Sequence, residues 1–253
     1  MDYLKKLKAA EQSFVDLFSS SFAVGDPSLG ILRYHDEELK DMYDHNFSFS
    51  PKELNEETFA LLTSIKASRG EGFMKVSLPM NSSFLKEKGF EEECLYTLIK
   101  ESYGHFDIPK PRFGEYRRFR DDEAILDEVI EVEKLYYGKS YGESFCTRKW
   151  IRYGKKIKEG DNGLDIWGVY FNKRLVAYCY TYFAYSLVCI DCLLVIEEER
   201  NKYVASNLIK DIGAYYSCPI YLHADEDDTP KELYAKLGFE KALISFDYLK
   251  VDE

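Results

Sequence analysis

"LLVIEEERNKYVASNLIK" (residues 193–210) joins an apolar run to a helical pattern through a polar turn that contains neither Pro nor Gly. The apolar run predicts the end of a buried strand, and the apolar residues Val204, Leu208 and Ile212 recur at helical spacing. The segment therefore predicts a strand, a turn and an amphipathic helix.

The start of this helix is predicted to bind a phosphate. The first N–H groups of a helix have no partner within it, and the helix dipole favours an anion at that end. Arg200 and Lys202 add positive charge beside those groups. A second interpretation stays open, in which both basic side chains are solvated and Asn201 only caps the helix.

The second half of the chain predicts an ordered α/β series. Residues 175–196 are long enough to cross a bilayer, but Tyr178, Tyr180 and Tyr182 recur at a period of two, which predicts strands. The predicted order is β-α-α-β-β-β-α-β-α-β. The predicted strands are 115–121, 164–172, 174–185, 187–195, 219–224 and 239–249, and the predicted helices are 122–138, 145–160, 202–217 and 229–238.

The end of the first half repeats part of this series. Residues 74–100 predict a strand, a short helix, a turn at Gly89 and a long strand, and residues 219–250 predict the same order around Gly238. Such a repeat indicates two related halves. The segment 103–114 contains Pro and Gly and predicts the linker. We therefore predict an N-terminal domain at 1–104 and a C-terminal domain at 105–253.

The composition favours some partners and disfavours others. A formal net charge of −11 disfavours nucleic acid and favours a cationic or amine-bearing substrate. The six cysteines predict reduced thiols in a cytoplasm, and neither they nor the four histidines show the spacing of metal ligands. No metal site and no membrane partner are predicted. The N-terminus lacks the apolar core of a signal peptide and predicts an amphipathic helix with these apolar residues inward: Leu4, Leu7, Phe14, Leu17 and Phe18.

Two motifs in the second half carry a family resemblance. The first runs from Arg200 to Ala205 after the strand, and the second is "YAKLGF" at 234–239. Together with the strand order, they resemble the GNAT superfamily of acyl-CoA-dependent N-acetyltransferases over residues 113–251. The resemblance implies a GNAT-like mixed sheet flanked by helices, with the N-terminal half as a degenerate GNAT-like copy in tandem.

The resemblance also implies that acetyl-CoA is the co-substrate. The family's phosphate loop runs Arg/Gln-x-x-Gly-x-Gly/Ala, and this chain carries Tyr203 in place of the first Gly and Asp227 in place of a helix Asn. Strands 188–195 and 220–224 would diverge, and pantetheine would bond to backbone groups in the gap. The implied cofactor-binding residues are Leu193, Val195, Arg200, Asn201, Lys202, Tyr203, Val204 and Ala205.

The implied reaction is direct attack of a neutral amine on the thioester, which needs a proton acceptor and a donor for the leaving thiolate. Tyr234 matches the family's donor, and packing of its helix is the alternative role. Asp191 is predicted as the base, because a carboxylate inside an apolar strand needs a partner, a cleft or a raised pKa; a structural role is the alternative. His223 is a further candidate for the base, whereas Glu197, Glu198 and Glu199 are predicted to be solvated, with one of them able to border the acceptor site.

The sequence therefore predicts an acetyl-CoA-dependent N-acetyltransferase that acts on a small-molecule or peptide amine. A non-catalytic acyl-CoA-binding or regulatory protein is the first alternative, with Tyr203 and Asp227 as signs of decay. The second is an aminoacyl transferase of the tandem GNAT-like kind, whose charged tRNA the net charge disfavours. Homodimer formation is left open.

Overall fold

The computed structural model describes residues 3–101, 114–160, 162–226 and 230–252 of the 253. The seven helices in this part of the chain are α1 (Tyr3–Phe18), α2 (Glu56–Arg69), α3 (Ser83–Glu87), α4 (Ile125–Tyr141), α5 (Glu143–Lys158), α6 (Val204–Tyr216) and α7 (Pro230–Lys236). The eleven strands described are β1 (Ser20–Ala23), β2 (Leu32–His35), β3 (Ser48–Phe49), β4 (Phe73–Leu78), β5 (Glu91–Lys100), β6 (Glu115–Arg118), β7 (Leu164–Phe171), β8 (Arg174–Ala184), β9 (Leu187–Val195), β10 (Ile220–Asp225) and β11 (Glu240–Val251).

The predicted order of elements in the second half is confirmed, while some predicted details differ from the structure. β6 ends at Arg118 instead of residue 121, because the amides of Asp121 and Asp122 both turn back to the Arg118 carbonyl, at 3.0 and 2.9 Å. Leu4, predicted to face inward, is 41% exposed, since the buried stripe of α1 starts at Leu7. In the part of the chain that the structure describes, no helix combines the length and the apolar composition needed to span a membrane.

The chain divides into two compact units that do not coincide with its contiguous halves. The site unit, which holds most of the predicted site residues, comprises Met1–Ser13, Leu98–Leu222 and Glu232–Glu240. The companion unit comprises Phe14–Thr97, His223–Lys231 and Lys241–Glu253. The boundary predicted between residues 104 and 105 falls outside the described residues, together with most of the linker, and stays a prediction.

The site unit is a mixed sheet in the order β10-β9-β8-β7-β6. The pairs β6–β7, β7–β8 and β8–β9 are antiparallel, and the pair β9–β10 is parallel. Side chains alternate along β8, so that the ring of Tyr180 packs on Tyr153 of α5 while the Thr181 hydroxyl lies 3.0 Å from that of Tyr216 on α6. Helices α5 and α6 therefore cover opposite faces of this sheet.

The strands of the companion unit follow the order β1-β2-β3-β4-β11 and are also of mixed direction. Its β3 and β4 are parallel, and the other neighbouring pairs are antiparallel. Its core is apolar and is drawn from strands, loops and the helices α2 and α3; the buried members are Val24, Ile31, Leu54, Leu62, Met74, Val76, Leu78, Leu85, Phe90 and Tyr248. Both units thus belong to the α/β class that the sequence predicted.

Five consecutive elements occur twice in the same order. β3, α2, β4, α3 and β5 correspond to β9, α6, β10, α7 and β11. In each copy, the first two strands are parallel and share two residue pairs, and the short helix ends in the same left-handed glycine turn, at Gly89 (φ 81°) and Gly238 (φ 80°). Phe90 and Phe239 donate equivalent bonds back to Leu85 and Tyr234, at 3.1 and 3.0 Å. The predicted pair of related halves is confirmed in the fold.

The long last strand of each copy contributes to the unit of the other copy. β11, from the second copy, pairs antiparallel with β4, from Phe246 opposite Leu78 to Val251 opposite Phe73. The end of β5, residues 98–100, belongs to the site unit. Each glycine turn therefore faces a lysine from the exchanged strand, Lys250 at Gly89 and Lys100 at Gly238.

Gly238→Ala is expected to destabilise the protein by about 1–2 kcal/mol, because the turn holds φ at 80° and the added Cβ would lie 3.1 Å from Lys100 Nζ. Urea denaturation followed by circular dichroism measures the change. Gly72→Ala is the control, since no atom lies within 4 Å of its Cβ position. Equal midpoints for the two variants would contradict the conformational requirement at Gly238.

Candidate functional site

The three glutamates after β9 form one 3-10 turn, Glu197–Glu199, that carries the chain from the strand toward α6. The Glu199 amide bonds to the Ile196 carbonyl at 3.0 Å, and the Arg200 amide bonds to the Glu197 carbonyl at 3.2 Å. The Glu197 amide donates to the hydroxyl of Tyr136 on α4 at 2.7 Å. The position of the polar turn is thus fixed by its backbone, while the side chains of Glu197 and Glu198 are exposed.

The helix α6 begins at Val204 instead of residue 202, and its cap is Tyr203 instead of Asn201. Asn201 and Tyr203 both adopt left-handed backbone conformations, with φ of 61° and 62°, so the helix cannot start earlier. Among the described residues, no side chain caps this end, and no acidic residue occupies its first turn. The Tyr203 ring is 51% exposed, so it is not packed into the turn.

The two predicted basic residues have different partners. The Arg200 Nε donates to the Val195 carbonyl at 3.1 Å, which anchors the guanidinium at the end of β9. Lys202 Nζ lies 3.1 Å from the Glu199 carboxylate, an exposed pair worth little in water. The structure therefore brings Val195 and Arg200 together and leaves Lys202 on the surface.

β9 contains a bulge beside β8. Tyr180 pairs with Asp191 and Tyr178 pairs with Leu194, so Cys192 and Leu193 together stand opposite one residue, Cys179. Cys192 has a left-handed φ of 51°, as the inserted residue requires. Bulges occur beside active sites because they redirect backbone groups out of the ladder. Leu193, a predicted pantetheine contact, therefore lies at the break in the β8–β9 ladder.

β9 and β10 separate soon after they meet. Their parallel register consists of two pairs, Val188 with Ile220 and Cys189 with Tyr221. Residues 190–195 of β9 have no partner in that register. The predicted divergence of these strands is therefore observed on the β9 side, over the stretch that contains the bulge.

Asp191 has the partner that its place in an apolar strand requires. Its Oδ2 accepts a hydrogen bond from the Tyr180 hydroxyl at 2.5 Å, and its Oδ1 accepts one from the Cys192 amide at 2.6 Å. Burial, followed by the charge of Asp191, raises the pKa of Tyr180 well above its usual value, so this hydroxyl remains a donor. Both oxygens of the predicted base are thus engaged at the bulge.

A buried polar cluster next to the bulge was not predicted from the sequence. Glu133 of α4 accepts hydrogen bonds from Lys149 of α5 and from the Tyr178 hydroxyl of β8. Lys149 Nζ also lies 3.8 Å from the Cys192 sulfur. Burial lowers the pKa of Lys149, but Cys192 and Glu133 outweigh it and raise that pKa above its usual value. The sequence does contain a signal for a buried carboxylate, because Glu133 falls four residues after Val129 on the apolar stripe of α4.

The remaining predicted residues lie at α7 and β10 or outside the described part of the chain. Tyr234 is 8% exposed, and its ring packs edge-on against Phe239 at 5.8 Å between centroids. His223 belongs to the companion unit, where its Nδ1 lies 3.5 Å from the Thr97 hydroxyl. Asp227 lies outside the described residues. The catalytic roles of Tyr234 and Asp191 stay predictions.

Lys149→Met is expected to destabilise the protein by about 3–5 kcal/mol, because it leaves the Glu133 carboxylate buried without its cation. The double variant Glu133→Gln, Lys149→Met is expected to lose less than the sum of the single variants, because it removes both charges. Urea denaturation of the four proteins gives the coupling free energy. Additive losses would show that the two side chains do not act as a pair.

Comparison with known proteins rests on structure, since no protein-family profile and no curated protein sequence matches the chain. A functionally unknown conserved protein from Staphylococcus epidermidis ATCC 12228 has 16% identity and a TM-score of 0.74, and the match covers 95% of this chain and 98% of that one. A GCN5-related N-acetyltransferase from Kribbella flavida has 11% identity and a TM-score of 0.68, with 99% and 96% covered. A tandem GNAT protein from the clavulanic acid biosynthesis pathway has 10% identity and a TM-score of 0.52, with 96% and 95% covered.

These similarities extend over nearly the whole chain at low identity, so they establish the fold. The chemistry has to be argued from the residues of the site. Support for the site comes from this chain's own structure: the duplicated elements, the diverging parallel strands and the bulge. The resemblance predicted from two short motifs is confirmed at the level of architecture: the chain has the fold of the GNAT superfamily.

Proposed function

We propose that the protein is an acetyl-CoA-dependent N-acetyltransferase that transfers the acetyl group to a primary amine by direct attack on the thioester. The observation that carries the proposal is the uncapped start of α6, which follows a bulged strand that separates from its parallel neighbour. Acyl transfer in general is supported by the fold shared with GNAT N-acetyltransferases. The substrate and the role of each residue belong to the proposal.

The diphosphate of the coenzyme would bind at the start of α6. The amides of Val204 and Ala205 belong to the first turn of a helix, whose N–H groups have no acceptor within it, and no carboxylate in that turn repels an anion. Arg200 and Lys202 would add charge, and Asn201 and Tyr203 give the loop its left-handed turns.

The pantetheine arm would lie along β9 as an added strand. Leu193 and Val195 offer backbone groups there, on the stretch that has left the register with β10. At Val195 the arm would compete with Arg200 for the carbonyl. Arg200 would then be released toward the diphosphate, which gives this side chain one role without the coenzyme and another with it.

The equivalent helix of the companion unit provides an internal comparison. α2 is closed by a capping box, in which the Asn55 side chain accepts from the Thr58 amide at 2.9 Å and the Thr58 hydroxyl accepts from the Asn55 amide at 3.0 Å. Glu56 and Glu57 also occupy its first turn. The capping box thus satisfies amides at the start of α2, and the two glutamates complement its dipole. This difference supports a single coenzyme site in the chain, at α6.

The reaction can be written with the residues of the site unit. The neutral amine attacks the thioester carbonyl carbon, and the developing negative charge on the oxygen is stabilised by the Leu193 amide at the bulge. The C–S bond then breaks, and Tyr234 donates a proton to the coenzyme thiolate while the amine nitrogen loses one to a base.

The net charge of −11 favours a cationic acceptor, either a small molecule or a peptide amine. A cytoplasmic location fits the six cysteines, none of which forms a disulfide in the described chain.

A non-catalytic acyl-CoA-binding protein is the second candidate, and one observation favours it. Tyr203 holds a φ of 62° at the position where the family's loop has glycine, a conformation that costs a side-chain-bearing residue about 1–2 kcal/mol. Retained binding of acetyl-CoA without acetyl transfer to any amine in a broad panel would identify this candidate. Turnover with any amine would exclude it.

Arg200→Ala is expected to weaken acetyl-CoA binding about tenfold or more, because a charge-assisted bond to a phosphate contributes about 1.5–3 kcal/mol. Isothermal titration calorimetry with acetyl-CoA measures the dissociation constant. Lys5→Ala is the control, since it removes the same charge from the exposed side of α1. Equal affinities for the parent and the Arg200 variant would refute the placement of the diphosphate.

Tyr203→Gly is expected to raise the unfolding free energy by about 1 kcal/mol, because glycine adopts a positive φ without strain. Acetyl-CoA affinity is expected to stay equal or to increase, since glycine lets a phosphate approach the backbone closely. Tyr203→Ala is the matched control, because it removes the ring and keeps the strain. Thermal unfolding and calorimetry test both points, and a loss of affinity in the glycine variant alone would contradict the expectation.

A further inference from the structure

The bulge in β9 depends on a conformation that Cys192 does not favour. Its φ of 51° lies in the left-handed region, which is unfavourable for a residue with a Cβ. Such a conformation persists only when neighbouring bonds hold it. The structure shows two bonds that do so, and both end on the same carboxylate.

The first bond joins adjacent residues. The Cys192 amide donates to Asp191 Oδ1 at 2.6 Å, which orients the peptide that enters the bulge. An amide that points at a carboxylate in this way is withdrawn from the β8–β9 ladder. Leu193, the next residue along the strand, has no Cα partner in the β8–β9 register, so its backbone lies at the point where the ladder is interrupted.

The second bond anchors that carboxylate to the sheet. The Tyr180 hydroxyl donates to Asp191 Oδ2 at 2.5 Å, and Tyr180 is 3% exposed. Its ring packs edge-on against Tyr153 of α5, with 5.1 Å between centroids. The Tyr180 side chain is therefore held in place by its packing, and Asp191 connects it to the backbone of the bulge.

We propose that Asp191 and Tyr180 are positioning residues, which hold the β9 bulge so that the Leu193 amide is aimed at the thioester oxygen. This inference rests on the proposed function, because it concerns the same acyl-transfer site. It assigns Asp191 a role different from the proton acceptor that the sequence predicted. The carboxylate acts through its shape and its two acceptor oxygens instead of through proton transfer.

Three variants separate positioning from proton transfer. Asp191→Ala removes both bonds, and Tyr180→Phe removes the anchor. Asp191→Asn keeps the shape, because its oxygen can accept from the Cys192 amide and its nitrogen can donate to the Tyr180 hydroxyl, but it cannot act as a base. The control is Tyr182→Phe, two residues along β8, which removes the bond to the Ser13 hydroxyl on α1 and does not touch the bulge.

Steady-state kinetics with acetyl-CoA and a responsive amine give the first measurement. Loss of an aimed donor lowers kcat about 100-fold, so this loss is expected for Asp191→Ala, with a smaller loss for Tyr180→Phe. Asp191→Asn is expected to recover about tenfold or more of the alanine loss and to keep the parent's pH–rate profile. The KM for acetyl-CoA is expected to change little, because the diphosphate binds at α6. An asparagine variant as inactive as alanine, with a limb of the pH profile lost, would overturn the proposal in favour of a base.

A second measurement needs no turnover. The amide proton of Cys192, bonded to a carboxylate, is expected far downfield in the ¹H–¹⁵N spectrum of the parent and several tenths of a ppm upfield in Asp191→Ala, with Tyr182→Phe unchanged. An unshifted Cys192 resonance in Asp191→Ala would overturn the proposal. If the parent neither binds acetyl-CoA nor acetylates any amine, the proposed function fails, and the same resonance still decides whether Asp191 holds the bulge.

Discussion

The two residue pairs shared by β9 and β10 are the constraint on which the site depends. Parallel strands that stayed paired along their length would satisfy the backbone groups of β9 with protein partners and leave no edge for a ligand. Because the strands separate after Cys189 and Tyr221, the rest of β9 presents an edge within the site unit. The bulge at Cys192 and the turn to α6 both follow on that same stretch of chain.

The duplicated halves show how one architecture gives one open and one closed helix end. The strands β3 and β4 share two parallel pairs, as β9 and β10 do, and a helix connects each pair. The difference lies in a few residues at the helix start. Asn55, Thr58 and two glutamates satisfy and neutralise the end of α2, whereas the described end of α6 has neither a side-chain cap nor an acid in its first turn. Under the proposed function, capping chemistry more than topology decides which copy holds the coenzyme.

The order of elements was predictable because each has a strong periodicity or turn signal. Alternating tyrosines fixed β8, and the matching Gly89 and Gly238 turns revealed the repeat. The start of α6 was placed two residues early, because Asn201 has the chemistry of a cap while the left-handed backbone at Tyr203 has no sequence signal. The bulge and the bonds of Asp191 also escaped prediction, since they depend on which residues of β8 and β9 face each other. Pairing register is a tertiary property, and the partner of Glu133 is hidden for the same reason.

The exchange of last strands ties the folding of the first half to a segment made much later. β11 forms the neighbour of β4, and the Tyr248 hydroxyl accepts a bond from the Ser82 amide at 2.6 Å. During synthesis, β4 therefore waits with an unpaired edge until residues 246–251 have left the ribosome. The first half therefore completes its sheet only after the second half has been made, and until then the open edge of β4 is a site at which another chain can pair.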